Sequence, residues 1–289
     1  MTIQSVPCDP GSIVSRRSGT VDGSAAPSLV PSLQPEELAE FPSLAQRVAD
    51  GEVELEVLRK AGSLTGRLRL ASGATVIVKL WSRTGVRGAL RKQTRTNPAM
   101  REWRVLRKLE RLGVRAPRVL KICYLRRGGA QYTEAIFIED LGRTVEGLEH
   151  LKSLIQSGQP EAAAVYEEYL IRTTETMIRA GVLDPDHRMT NFVVTADGTP
   201  VRLDFELARL VFHVGLHPDL VGQMIGTLVA TYCYAVQPDS GRAADFAARL
   251  AARIGPSRRA LKGAGRLVRE KLEKQRLETG IDMRIDLPW

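Results

Sequence analysis

Asp186 is followed five residues later by Asn191, and a second carboxylate, Asp204, stands thirteen residues beyond that. The stretch Asp186-His187-Arg188-Met189-Thr190-Asn191 lies between a long helical pattern and a short apolar run, and Asp204 closes the next such run. A hairpin of the two runs can set Asn191 and Asp204 side by side as oxygen ligands. Mg²⁺ takes oxygen donors, few of them from protein, with phosphate and water completing its octahedron. Asp186, left off the metal, can orient or deprotonate an attacking hydroxyl. Taken alone, Asp-x4-Asn is more often turn chemistry.

A second pair lies upstream. Lys79 ends the apolar run Val76-Ile77-Val78, and Glu102 sits in a helical pattern opened by Asn97-Pro98, an N-cap residue with proline at the first helical position. Glu102 shares a stripe with Leu106 and Leu109, at i+4 and i+7. A carboxylate on an inward apolar face requires a cation, and Lys79 is the natural one. A lysine held in this way can grip phosphate oxygens. The plain alternative is a solvated Lys79 and a Glu102 paired with a neighbouring arginine.

The elements that must carry these residues divide the chain in two. Strands are expected at 53–58, 66–70 and 74–81, linked by glycine-bearing connectors as in an antiparallel meander. A helix follows at 98–112, then strands at 118–125 and 135–139. A short helix at 35–49 precedes them, and residues 1–38, rich in Ser, Pro and Gly, read as a disordered tail. Beyond Thr144 the pattern turns helical. Tyr166, Leu170, Thr173, Met177 and Ala180 mark one face of a helix over 161–180 that Gly181 terminates. Strands at 192–194 and 201–203 surround an Ala-Asp-Gly turn, a buried helix is expected over 220–238, and a basic amphipathic helix over 258–278. A strand-rich first half and a helix-rich second half make an α+β protein of two lobes, at 39–141 and 142–289.

The net charge of +9 favours acidic partners, and it is concentrated. From Arg83 to Arg127 there are 15 basic residues against two acids, Glu102 and Glu110. Arg83, Arg87, Arg91, Lys92 and Arg95 precede the helix cap, where helix stability does not need them. They are candidates for docking an anionic glycolipid or a membrane leaflet, and the basic helix at 258–278 can add to that or be an ordinary surface helix. Three scattered cysteines (Cys8, Cys123, Cys233) and the absence of a signal-peptide pattern point to reduced thiols in the cytoplasm. His213 and His217, four apart, lack the glutamate of a zinc motif.

The order Lys79, Glu102, Asp186, Asn191, Asp204 resembles the protein kinase-like superfamily from its third strand to its metal-binding loop. In detail the chain looks most like the bacterial lipopolysaccharide kinases, the Kdo and heptose kinases, over roughly residues 53–210. The stretches that carry this are Arg101-Glu102-Trp103 through Leu109, Gly113-Val114-Arg115-Ala116-Pro117, Phe137-Ile138-Glu139-Asp140-Leu141 and Asp204-Phe205-Glu206. The resemblance implies a two-lobed kinase fold, with a small antiparallel sheet plus one helix in the first lobe and a mostly helical second lobe. It further implies ATP and Mg²⁺ as cofactors, Lys79 on ATP phosphates, Glu102 holding Lys79, Asp186 as base, and Asn191 and Asp204 on the metal. Glu139, Asp140 and Leu141 would form the hinge whose backbone meets adenine.

Departures from the family pattern are informative. The usual His two residues before the base is Asp184, which makes Asp184 the alternative base. The nucleotide-covering loop is not G-x-G-x-x-G, although Gly62-Ser63-Leu64-Thr65-Gly66 can turn and present amides to phosphate. Only 85 residues follow Asp204, without Ala-Pro-Glu, which disfavours a eukaryotic-type protein kinase. The expected function is ATP-dependent phosphorylation of a hydroxyl on an anionic sugar or glycolipid of the lipopolysaccharide core, at or near the inner membrane surface, without specific nucleic-acid binding. The alternatives are a choline or aminoglycoside type phosphotransferase, a protein kinase, and a pseudokinase scaffold.

Overall fold

The computed structural model describes residues 4–6, 33, 35–61, 63–83, 97–127 and 131–289. Two compact units result, one of Met1–Trp103 with Pro117–Leu141, the other of Arg104–Ala116 with Gly142–Trp289.

In the first unit, β1 (Gln4–Val6), β2 (Glu56–Ala61), β3 (Ser63–Arg69), β4 (Thr75–Arg83), β5 (Val119–Arg127) and β6 (Gln131–Glu139) form one sheet in the order β1-β5-β6-β4-β3-β2. All of its pairings are antiparallel. Strand parity then decides what each side chain meets. Val76, Val78 and Leu80 of β4 join a core with Phe41, Ala45 and Val48 of helix α1 (Pro35–Asp50), where Phe41 stacks on Phe137 at 4.5 Å. Ile77 and Trp81 turn to the opposite face and pack with Ala99 and Trp103 at the start of helix α2 (Pro98–Arg111). Lys79 shares their parity. Helix α1 thus adds a second helix to the one that the kinase resemblance implies for this lobe.

The tail expected over residues 1–38 lies mostly outside the described residues. Its described parts are ordered: β1 pairs with β5, and α1 begins at Pro35. Of the phosphate-facing turn expected over 62–66, the described part is strand. Position 62 lies outside the described residues, and Ser63 to Gly66 belong to β3, paired with both β2 and β4. Ser63 is buried. Gly66 serves packing, because a Cβ there would come within 2.4 Å of the Leu55 side chain.

The second unit opens with β7 (Thr144–Glu146), α3 (Gly147–Gln156) and α4 (Pro160–Arg179), followed by β8 (Val182–Leu183), β9 (Phe192–Thr195), β10 (Pro200–Arg202) and β11 (Arg209–Leu210). The strands make two small sheets, β10-β9-β7 and β11-β8. Three long helices complete the unit: α5 (Pro218–Val236), α6 (Ser240–Ile254) and α7 (Arg258–Thr279). Helix α5 is buried along most of its length, as its uncharged sequence predicts. It lies close against α7, since a Cβ at Gly222 would meet Ala260 O at 2.6 Å and one at Gly226 would meet Ala264 O at 2.9 Å. The apolar face of the basic helix α7, with Ala260, Ala264, Val268 and Leu272, is therefore consumed in packing rather than available to a membrane. Among the described residues, no helix is long and apolar enough to cross a bilayer.

Candidate active site

Asn97 caps α2 as its sequence predicts, its Oδ1 accepting from the Met100 N–H at 2.8 Å. That start sets the helix phase and turns Glu102, Leu106 and Leu109 inward, and all three are buried. Lys79 Nζ meets Glu102 Oε1 at 2.7 Å, and both side chains are buried. The carboxylate has the cation that its position required.

At the end of β6 the side chains hold the unit together. The Arg118 N–H donates to the Glu139 carboxylate at 3.0 Å, and the Glu139 N–H donates to Arg118 O at 2.9 Å. Asp140 accepts from Arg67 Nε at 2.7 Å. Leu141 is the last residue of the first unit.

In the second unit the loop from Asp184 to Asn191 is tied down at nearly every residue. The Asp184 carboxylate accepts the Asp186 N–H at 3.0 Å. Asn191 Nδ2 donates to Asp186 O at 2.8 Å and to Asp186 Oδ2 at 3.3 Å, which leaves its Oδ1 as the atom for a cation. Arg188 Nε donates to Asp186 Oδ1 at 2.7 Å. From below, α5 contributes two hydroxyls: Thr227 donates to Pro185 O at 3.2 Å, and Thr231 accepts the Met189 N–H at 3.0 Å.

Arg202, wholly buried on β10, connects these parts. Its guanidinium pairs with the buried Asp184 carboxylate. It also donates to the carbonyls of Asn191 (3.1 Å), Asp186 (3.4 Å) and Asp204 (3.4 Å), while Nε donates to His187 Nδ1 at 3.4 Å. Phe192 and Phe205 flank it, with ring centroids at 5.2 and 4.9 Å. One cation therefore binds the main chain of the candidate base and of both candidate metal ligands. Asp204 itself takes φ +53°, the one non-glycine residue with positive φ among those described. Such a conformation persists only where surrounding bonds enforce it, and it gathers at functional sites.

His187 completes the network. Thr174 Oγ1 donates to Leu170 O at 2.7 Å and so accepts from His187 Nε2 at 2.8 Å, which makes the ring neutral with its proton on Nε2. Burial, and then the Arg202 charge, hold its pKa well below the ordinary value. Burial pushes Asp184 up and Arg202 draws it back.

Arg202, His187, Thr227 and Thr231 were not singled out as site residues from sequence. A signal existed for Arg202: an arginine within the apolar strand at 201–203 must find a counter-charge, and Asp184 follows the equally apolar Val182-Leu183. The departure from His at position 184 thereby has a structural counterpart, since Asp184 is the buried partner of Arg202.

The donor set of Asn191 and Asp204 suits Mg²⁺, which takes one or two carboxylates and leaves its other positions to phosphate and water. No cluster of three His, Cys, Asp or Glu that would make an all-protein metal cage occurs among the described residues. Both residues bond Arg202 through their carbonyls, so the contact with Arg202 does not use their side-chain oxygens.

The fold is protein kinase-like. A model of the lipopolysaccharide kinase (Kdo/WaaP) family matches residues 74–210, so the likeness read from the residues to these kinases holds, and the chain is an enzyme of the kinase class. The solved structure of WaaP in complex with acyl carrier protein is similar at a TM-score of 0.58 and 18% identity, over 82% of this chain and 95% of that one. ROP2 from Toxoplasma gondii, a virulence factor with a protein-kinase fold and no enzymatic activity, aligns at a TM-score of 0.45 and 13% identity, over 87% of this chain and 92% of that one. No curated protein sequence matches the chain.

Proposed function

We propose that the chain transfers the γ-phosphoryl group of ATP, with Mg²⁺, to a hydroxyl of a lipopolysaccharide-core sugar or a related anionic glycolipid. The observation that carries this reading is the Arg202 clasp, in which one buried guanidinium holds Asp186, Asn191 and Asp204 by their carbonyls. A loop braced this thoroughly is preorganised for chemistry that depends on positioning and charge.

Asp186 accepts the proton of the acceptor hydroxyl as its oxygen attacks the γ-phosphorus and the bond to the β-phosphate oxygen breaks, releasing ADP. The Asn191 amide keeps the carboxylate turned for this step. Asn191 Oδ1 and the Asp204 carboxylate would hold Mg²⁺, which when bound neutralises phosphate charge. Lys79, fixed by Glu102, supplies a fixed positive charge to ATP phosphate oxygens. Residues 139–141 would offer backbone to adenine. The family match favours a lipopolysaccharide acceptor, as does the net charge of +9. Residues 84–96, which hold most of the basic run before α2, lie outside the described residues.

The test is a panel of acceptors. Purified protein would be supplied with MgATP and, separately, deacylated lipopolysaccharide, heptose, choline and an acidic protein. Stimulation of ADP release by lipopolysaccharide is expected. Stimulation by choline alone would replace this acceptor class with a cationic one.

A further inference from the structure

Large apolar side chains left in water are clustered in this protein. Leu207, Leu210, Phe212 and Leu216 are all exposed, Phe212 completely, within ten residues that begin three positions after Asp204. The other exposed large apolar residues among those described are spread over β2, the turn after α2, β7, α4, α7 and the C-terminal end, nowhere more than two together.

The segment is held in this state by its backbone. Arg209 and Leu210 pair with Leu183 and Val182, and the Val211 N–H donates to Gly181 O at 2.8 Å. The approach is so close that a Cβ at Gly181 would lie 2.1 Å from Val211 O, and Gly181 also takes φ +70°. A short 3-10 turn, Val214–Leu216, fixes the far end. The strand that anchors the segment, β8, is the one that runs directly into Asp184 and Asp186, so the apolar tip and the candidate base share one support.

Its charge is one-sided. Between Glu206 and Asp219 the chain carries Arg209, His213 and His217 and no acid, and Asp219 is engaged by Arg259 at 2.8 Å. Exposed Phe and Leu beside Arg209, with no acid between Glu206 and Asp219, match the boundary between headgroups and acyl chains of an anionic bilayer. Helix α7, the other basic amphipathic element, has already spent its apolar face on α5.

We propose that the segment Leu207–Leu216 is a membrane-docking tip that inserts Phe212 and Leu216 into the interface of an anionic bilayer and brings the Asp186 loop to the headgroup layer. The proposal rests on the glycolipid reading of the acceptor for its purpose, though not for its test. The full chain would be sedimented with vesicles of phosphatidylglycerol and phosphatidylcholine, and with vesicles of phosphatidylcholine alone. The wild type should partition onto the anionic vesicles, and the Phe212→Ser/Leu216→Ser double variant should lose roughly tenfold or more of that affinity. Tryptophan placed at the tip by Phe212→Trp should shift its emission to the blue when anionic vesicles are added.

Transfer to soluble deacylated lipopolysaccharide, measured on the same double variant, should match the wild type, which shows that the fold is intact. Absence of vesicle binding by the wild type, or equal binding by the double variant, would overturn the proposal. So would a concentration-dependent dimer that the double variant abolishes without any change in vesicle binding. Tip-dependent vesicle binding with no phosphate transfer to any acceptor would leave the docking surface standing and remove the kinase reading alone.

Discussion

The guanidinium of Arg202 and the carboxylate of Asp184 form an ion pair in which neither side chain reaches solvent. Such a pair is weak grounds for net stability, but breaking it from one side leaves a charge stranded in the interior. Asp184→Asn and Arg202→Gln should each cost roughly 3–5 kcal/mol in urea unfolding, and the double variant less than their sum. Single variants within about 1 kcal/mol of wild type would mean that the guanidinium finds compensation elsewhere.

The neutral His187 ring predicts a dependence on pH. Its folded pKa is depressed by burial and by Arg202, whereas the unfolded chain binds the proton near the ordinary value. The stability contribution is therefore complete above about pH 6.5 and is lost as pH falls, at about 1.4 kcal/mol per unit, down to the folded pKa. The stability gap between wild type and His187→Gln should shrink by about 1.4 kcal/mol from pH 7.5 to 5.5. A constant gap in denaturant titrations would show that His187 is not buried in the neutral form.

Lys79 and Glu102 make a different prediction, since their pairing prepares a charge for a substrate. Lys79→Met should lower kcat/KM for phosphate transfer by about 10²–10³, the cost of removing one preorganised electrostatic partner. A less than twofold effect would return Lys79 to the role of a structural counter-ion for Glu102.

Asp204 should govern the metal. In Asp204→Asn the ligand loses its charge while the φ of +53° is kept, because asparagine tolerates that region well. The Mg²⁺ concentration for half-maximal turnover should rise by about tenfold or more, as removal of a charged oxygen ligand implies. An unchanged Mg²⁺ titration would detach Asp204 from the metal.

Much of this was legible in the sequence, for identifiable reasons. Elements with a strong period declared themselves: α2 from Asn97-Pro98 and the inward stripe of Glu102, Leu106 and Leu109, and α5 from its uncharged length. The Lys79–Glu102 pair followed from a single rule about buried charge. The clasp did not, because Arg202 and Asp184 are eighteen residues apart and only the β9–β10 hairpin brings them together. Gly62–Gly66 was read as a turn from its glycines, yet Gly66 is small to admit the Leu55 side chain, a contact that no local pattern encodes. Thr227 and Thr231 looked only like polar interruptions of an apolar helix until the Asp186 loop was seen resting on them.

The central claim is that Asp186 acts as the base in phosphate transfer. Single-turnover transfer of the γ-phosphate of ATP to deacylated lipopolysaccharide, in wild type and in Asp186→Ala, tests it most directly. The account predicts transfer by the wild type, slowed by roughly 10²-fold or more in Asp186→Ala while nucleotide binding is retained. Transfer by Asp186→Ala at the wild-type rate would contradict it.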